Sequence, residues 1–283
     1  MPASEPSRLP AARWPRLQLV ELTDLALLPR PLRRWLGDYL RGVVTLTRFF
    51  APAAPRIAEL MRGARTDRVV DLCSGGGGPW PALAEDVARS LGARARVVLT
   101  DLHPDPATWA FLRRTSAGAV EGFPSAVPAD AVPEELEGVR TIFDGLHHFP
   151  PKAARAVLAD AARRGIPLVA AEATRRSLLG LLLVLLSPLF VWAVTPLLRP
   201  FSASRLLFTY LLPVVPLLAL FDGVVSALRC YRPDELLALA EGLPGSHVWS
   251  VERPRGARGP TLLVGRRAGG PPHLPPARGG RAR

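Results

Sequence analysis

The chain has 283 residues, 48% of them hydrophobic, with 31 prolines, 24 glycines and a formal net charge of +12. That length holds one large domain, or one domain with additions, and the apolar fraction allows a sizeable core. The positive charge is nearly all arginine: Lys152 is the single lysine, so a Gly-Lys Walker loop is absent, a pyridoxal enzyme would have to use that residue, and a short-chain dehydrogenase would need tyrosine where His148 stands.

Residues 1–16, "MPASEPSRLPAARWPR", read as a flexible leader. Prolines and arginines fill the first twenty positions in place of an apolar run, so no secretory signal is expected. From Leu17 to about Arg65 the pattern turns helical. Leu32, Trp35, Leu36, Tyr39 and Leu40 recur at three- and four-residue spacings, and "APAAPRIAELMRGAR" (51–65) gives a second short helix. The expectation is an N-terminal helical cap over 17–65.

The period then changes. "RVVDL" (68–72) is a short apolar run ending in glycines, which reads as a buried parallel strand. "PWPALAEDVARSLG" (79–92) has the proline near its start and the terminal glycine of a helix. A strand over 95–102, a helix over 104–117, a strand within 139–149, a helix over 150–165 and a strand over 166–174 follow. Such alternation predicts an α/β fold, a doubly wound and mostly parallel sheet covered on both faces. The domain spans 66–267. Near its end come a helix over 232–245 and two strands, 247–256 and 261–267, whose short connection suits an antiparallel pair at the far side of the sheet. The tail, 268–283, reads as disordered.

An apolar helical insertion, 177–221, interrupts the alternation. "SLLGLLLVLLSPLFVWAVTPLL" (177–198) carries no charge and as one helix would be about 33 Å long. The second uncharged run, 206–221, is shorter and contains Pro213 and Pro216, which predict a kink. Three readings stay open: a greasy lid folded over the site, a hairpin dipping into one leaflet, or a double crossing. Arg199 and Arg205 lie between the runs, where a translocated loop should lack arginine. The insertion could also bury itself against the cap or in a homodimer interface.

Cys73 and Cys230, the only cysteines, cannot make a disulfide framework or a thiolate zinc site, and a reduced, cytoplasmic setting is the simpler one. No basic helix is interleaved with aromatics, so nucleic acid is not expected as a partner. The basic balance suits a soluble surface or an anionic lipid headgroup layer.

The chemistry concentrates in "VVDLCSGGGGPW" (69–80). A strand, a glycine loop and a helix N-terminus cradle nucleotide-like ligands, because glycine lets a ligand approach the backbone and the helix start offers free N–H groups. A tight turn without ligand is the plain alternative. The dinucleotide spacing Gly-x-Gly-x-x-Gly fails, since Trp80 stands where its last glycine should. The loop instead reads Asp71-x-Cys73-x-Gly75-x-Gly77. It resembles the acidic-x-Gly-x-Gly-x-Gly loop of class I S-adenosylmethionine-dependent methyltransferases, with cysteine in place of the first glycine. Cysteine is small enough for close packing, and its φ is expected to stay in a region that non-glycine residues accept.

The resemblance extends over 66–175 and 226–267. Asp101, thirty residues after Asp71, matches the acid that binds the ribose hydroxyls at the end of the second strand, with Leu102 beside it. Asp130, in "VPADAVP", matches the acid or amide that commonly meets the adenine amino group. "GLHHF" (145–149) is similar to the stretch that ends the fourth strand. The resemblance therefore implies a class I methyltransferase sheet, S-adenosylmethionine (SAM) as cofactor, and cofactor contacts at Asp71, Cys73, Ser74, Gly75, Gly77, Asp101, Leu102 and Asp130.

Such an enzyme mainly supplies position and exclusion of water for an in-line displacement. Asp144, His147, His148 and Glu172 fall at the carboxyl ends of the fourth and fifth strands, where substrates sit on open sheets. His147 could serve as a general base. The plainer reading packs one histidine beneath the cofactor and has the other cap the next helix. Glu172 suits a substrate contact and a structural carboxylate equally. No metal is expected at adjacent histidines. "DGLHHF" stands where amino-group methylation would show Asn/Asp-Pro-Pro-Tyr. With the apolar insertion beside the site, the expected substrate is a hydrophobic small molecule (lipid, isoprenoid, quinone or polyketide-like), methylated at or near a membrane. The rivals are a membrane-associated binding or scaffold protein with an inactive methyltransferase fold, favoured by Cys73, and a nicotinamide dehydrogenase, disfavoured by the glycine spacing.

Overall fold

The computed structural model describes residues 14–80, 82–254 and 259–269. The leader expected over 1–16 lies outside them but for 14–16, and the tail expected over 268–283 but for 268–269. Seven strands form one sheet: β1 Arg68–Leu72, β2 Arg96–Leu99, β3 Val120–Gly122, β4 Val139–Phe143, β5 Leu168–Glu172, β6 His247–Glu252 and β7 Thr261–Arg267. Around it run α1 Arg30–Leu46, α2 Ala54–Ala64, α3 Ala82–Leu91, α4 Pro106–Thr115, α5 Pro151–Arg163, α6 Leu178–Leu185, α7 Ser187–Val194, α8 Ala203–Leu206, α9 Val214–Arg229 and α10 Pro233–Ala240.

The strand order is β3-β2-β1-β4-β5-β7-β6. The first five strands are parallel, and β7 runs antiparallel to both β5 and β6, between which it lies. Successive residues of a strand face opposite sides, so a strand buried on both sides must be apolar throughout. Val69, Val97 and Leu99 enter one core with α2, α3 and α4, while Val70, Leu72 and Val98 enter the other with α5 and α10. β3 had no legible signal. It is three residues long and ends at Gly122, where the Trp109 ring of α4 presses on the strand; a Cβ there would fall 2.1 Å from a ring carbon.

The N-terminal segment departs from its helical reading. Residues 17–29 hold only a short 3-10 turn, Leu22–Asp24. Local turns satisfy part of their backbone, and α9 takes three of the N–H groups. Leu17 N–H donates to the Leu228 carbonyl at 3.1 Å, and the Leu22 and Thr23 N–H groups donate to the Asp222 carboxylate at 2.7 and 3.2 Å. In α1 the stripe also shifts: Leu40 is exposed and Arg41 is buried.

The insertion is not one long helix followed by a kinked one. Pro188, which has no N–H to continue the ladder, separates α6 from α7 with a bend of 43°. The second run passes from α8 through a π turn, Leu207–Leu211, then bends by 76° into α9. α9 continues to Arg229, past the expected boundary at 221. No single helix among the described residues is long and apolar enough to cross a membrane. The hairpin folds onto α1, where Trp35, Leu36 and Tyr39 meet Val191, Leu198 and Leu218 in a third core. Arg205, between the two runs, returns to the domain and is buried against Asp38.

Candidate active site

The glycine loop follows β1 at the carboxyl edge of the sheet, next to the point where chain order reverses between β1 and β4. Open α/β sheets bind ligands at such a switch point. The loop is held from several sides. Ser74 Oγ donates to Asp71 Oδ2 at 2.7 Å, and Gly77 N–H donates to the Ser74 carbonyl at 2.7 Å. Trp109 Nε1 of α4 donates to the Gly75 carbonyl at 3.0 Å, and Arg41 Nη1 of α1 donates to the Gly76 carbonyl at 2.7 Å.

Asp101, just past β2, accepts from Gly75 N–H and from His103 N–H, both at 2.8 Å. Its side chain is half-buried, and the space beside Gly75 is open, with no atom within 4 Å of where a Cβ would stand. Leu102 is 55% exposed next to it. These residues fit a nucleoside: acceptor capacity is left on the carboxylate for a diol, the backbone is bare, and an apolar side chain is free to meet a base.

The other expected cofactor contacts sit differently. Asp71 is only 1% exposed, and both its oxygens are taken, Oδ1 by Thr141 Oγ1 at 2.6 Å and Oδ2 by Ser74. Burial raises its pKa to about 7 against the pull of those hydrogen bonds. Asp71 therefore fastens β1, the loop and β4 together, and its carboxylate does not reach the open side. Ser74 is buried with it. Gly77 serves packing: at φ +93° a Cβ would lie 2.2 Å from Leu112 Cδ1. Asp130 is exposed on a turn eight residues past β3. Cys73 contradicts its expectation. It sits at φ +56°, the left-handed region that glycine favours and few other residues adopt. Burial pushes its thiol pKa up, making it a poor nucleophile.

At the ends of β4 and β5 the structure brings Asp144, His147 and Glu172 together. Glu172 Oε1 accepts from Leu146 N–H at 3.0 Å, and Oε2 lies 2.5 Å from His147 Nδ1. Asp144, at φ +47°, accepts from Ala173 N–H at 2.6 Å; burial, then Glu172, raises its pKa to about 7. His147 is 2% exposed. Burial by itself would lower its pKa, but the Glu172 and Glu21 carboxylates outweigh it and raise the value to about 10. The two carboxylates thus favour the protonated ring in this conformation.

Glu21 carries no sequence signal for the site, being one acid in the segment read as part of the helical cap. Its Oε1 stands 3.6 Å from His147 Nε2, a nitrogen with no hydrogen-bond partner. His148 Nδ1 lies 2.7 Å from Asp24 Oδ1 and so does not cap α5, whose N-cap position is Pro150. Glu21, His147 and His148 also bring ligand atoms within 4.8 Å of one another. Arg229 of α9 brings a guanidinium to the same group, its Nη2 2.7 Å from Glu21 Oε1 and 2.6 Å from His148 Nδ1.

A sheet ordered 3-2-1-4-5-7-6 with its seventh strand antiparallel, and a glycine loop after the first, is the class I methyltransferase fold. No family model matches the sequence, and no curated protein does. Solved structures similar to the chain include an O-methyltransferase family protein from Burkholderia thailandensis, at 18% identity and TM-score 0.42 over 82% of this chain and 59% of that one. Mitomycin 7-O-methyltransferase MmcR is similar at 20% identity and TM-score 0.43, over 77% of this chain and 54% of its own. Human N-acetylserotonin methyltransferase in complex with SAM is similar at 11% identity and TM-score 0.46, over 82% and 56%. The chain thus spans between half and three-fifths of the length of these proteins.

Proposed function

We propose that the protein is a SAM-dependent methyltransferase acting on a hydrophobic small molecule at a membrane surface. The observation that carries the cofactor half is the Asp101 carboxylate beside the open face of Gly75, at the switch point of the sheet. Asp101 would hold the ribose hydroxyls, Gly75 would let the nucleoside approach, and Leu102 would lie against the base. When bound, SAM supplies an electrophilic sulfonium methyl group. The chain's own work is to place an acceptor before it, exclude water and take up a proton.

His147 suits the proton step. Glu172 fixes the ring through Nδ1 and leaves Nε2 without a hydrogen bond, which is the orientation a general base needs. Glu21 stands at that nitrogen and adds to the larger pull of Glu172 toward the protonated ring. A substrate hydroxyl that displaces Glu21 removes one of the two carboxylates and lowers the His147 pKa toward a useful range. The segment bearing Glu21 is therefore read as the cover of the acceptor site.

The membrane half rests on the outer side of the insertion. Leu179, Leu182, Leu186, Phe190 and Leu211 face outward, Leu211 with 74% of its surface exposed. Large apolar side chains left exposed in such number support a binding or membrane face. The rival reading, an inactive fold used for membrane attachment, drew on Cys73, and Cys73 holds the left-handed backbone that a glycine would accept there. Titration of the full chain with S-adenosylhomocysteine (SAH), followed by flotation with phosphatidylcholine–phosphatidylglycerol vesicles, tests both halves. One SAH site and co-flotation are expected. No binding at millimolar SAH would sink the enzyme reading, and a protein left at the bottom of the gradient would sink the membrane one.

A further inference from the structure

A buried polar chain joins the glycine loop to the apolar insertion. Arg41 Nη1 donates to the Gly76 carbonyl at 2.7 Å, and its Nη2 donates to Asp38 Oδ1 at 2.6 Å and to the Arg199 carbonyl at 2.9 Å. From the other side, Arg205 Nη1 donates to Asp38 Oδ2 at 2.7 Å, and its Nη2 donates to the carbonyls of Leu198 and Pro200, both at 3.0 Å. All three charged residues are buried, Arg205 with 2% of its surface exposed. One carboxylate is shared by two guanidinium groups, and carbonyl oxygens from the loop and the insertion turn accept from their other Nη donors, while Arg205 Nε is buried without a hydrogen-bond partner.

The backbones meet along the same line. Gly37 of α1 lies on Gly76 so closely that a Cβ on Gly76 would stand 3.2 Å from the Gly37 carbonyl carbon. Further along α1, Gly42 makes room for Leu198: a Cβ there would fall 2.2 Å from Leu198 Cδ2. The helix that touches the loop is therefore the helix that seats the insertion turn, at two glycines and through one ion network.

A buried ion network is a weak source of stability, because an apolar replacement of similar volume often does as well. What it fixes is geometry. We infer that Arg41, Asp38 and Arg205 are positioning residues for the glycine loop, and that they make nucleotide occupancy and the seating of the insertion turn mutually dependent. This rests on the cofactor reading above. If the loop binds tightly only with Arg41 on Gly76, and Arg41 keeps that place only with Asp38 held by Arg205, then nucleotide binding must in turn hold the insertion closed. The coupling is reciprocal by thermodynamic necessity.

Amide hydrogen exchange on the full chain, with and without SAH, tests the inference in the parent and in Arg205→Met and Arg205→Lys. Arg205→Met leaves Asp38 paired with Arg41, so the fold is retained, which circular dichroism verifies. SAH should slow exchange at 198–206 in the parent by about tenfold, alongside the glycine loop at 73–78. In Arg205→Met, SAH affinity should fall about tenfold and the response at 198–206 should vanish, with partial recovery in Arg205→Lys. A purely structural role for Arg205 predicts no SAH response at 198–206 in the parent. Protection confined to 73–78, or parental SAH affinity in Arg205→Met, would overturn the coupling. Absence of any protection at 73–78 would instead overturn the cofactor reading, and the coupling with it.

Discussion

Asp101 is where the cofactor reading is most exposed to refutation. Its two oxygens already accept Gly75 N–H and His103 N–H at 2.8 Å. A carboxylate has about four acceptor positions, so two remain for a pair of ribose hydroxyls. Asp101→Ala removes both charge-assisted bonds to the ligand and frees Gly75 N–H to move. Hydrogen bonds to a charged group contribute about 1.5–3 kcal/mol each, and the half-exposed position lets water recover part of that. A net loss of about 1–3 kcal/mol follows, or roughly a five- to 150-fold weaker SAH affinity. Asp101→Asn keeps the shape and one acceptor oxygen and should lose less. The assay is calorimetric titration of each full-length variant with SAH, with melting temperatures measured alongside. Parental affinity in Asp101→Ala would mean that the nucleoside does not sit on β2, and the site as drawn would be wrong.

Other expectations follow from the same geometry. The His147 pKa, raised to about 10 from a free value of 6.5, gives stability that is full below pH 6.5 and drains away as pH climbs through 10. The difference in urea midpoint between the parent and His147→Gln should therefore shrink across that window; a constant difference would show that His147 is not held as an imidazolium. Cys73→Gly relieves a left-handed cysteine at about the cost of glycine's extra unfolded freedom, so stability should change by less than about 1 kcal/mol and SAH binding should persist. Loss of binding would mark the thiol itself as a ligand. Gly77→Ala forces a Cβ onto Leu112 at φ +93° and should cost about 1–3 kcal/mol in chemical denaturation. Replacing Leu179, Leu182 and Leu186 by serine should leave the melting temperature unchanged, since all three are exposed, yet sharply reduce vesicle flotation. Unchanged flotation would place the membrane contact elsewhere or nowhere.

The sheet was legible because its strands are buried on both sides, and runs such as Val69-Val70 and Val97-Val98-Leu99 have no polar face to confuse the period. β3 was hidden by brevity and by Gly122, which is fixed by Trp109 and not by strand propensity. The glycine loop and Asp101 were legible as a motif, but the motif does not say which way each residue faces. Asp71 and Gly77 hold the loop from inside, while Gly75, Asp101 and Leu102 meet the open side. His147 and Glu172 could be placed at adjacent strand ends from alternation alone. Glu21, Asp24 and Arg229 could not, because an extended segment near the N-terminus and the end of α9 meet at the histidines through tertiary contacts with no sequence period. The insertion shows the same limit. Its apolar length left a lid, a leaflet dip and a crossing open, and did not show that it breaks at Pro188 and Pro213 into short helices, with Arg205 returning to Asp38.

The central claim, methyl transfer to a hydrophobic acceptor, is tested most directly by incubating the protein with SAM labelled in its methyl group and a lipid-rich extract, then analysing the extract by mass spectrometry. The account predicts at least one apolar species carrying a single labelled methyl group, formed by the parent and lost in Asp101→Ala. A parent protein that binds SAH but labels nothing in the apolar fraction, while labelling water-soluble compounds or nothing at all, would contradict it.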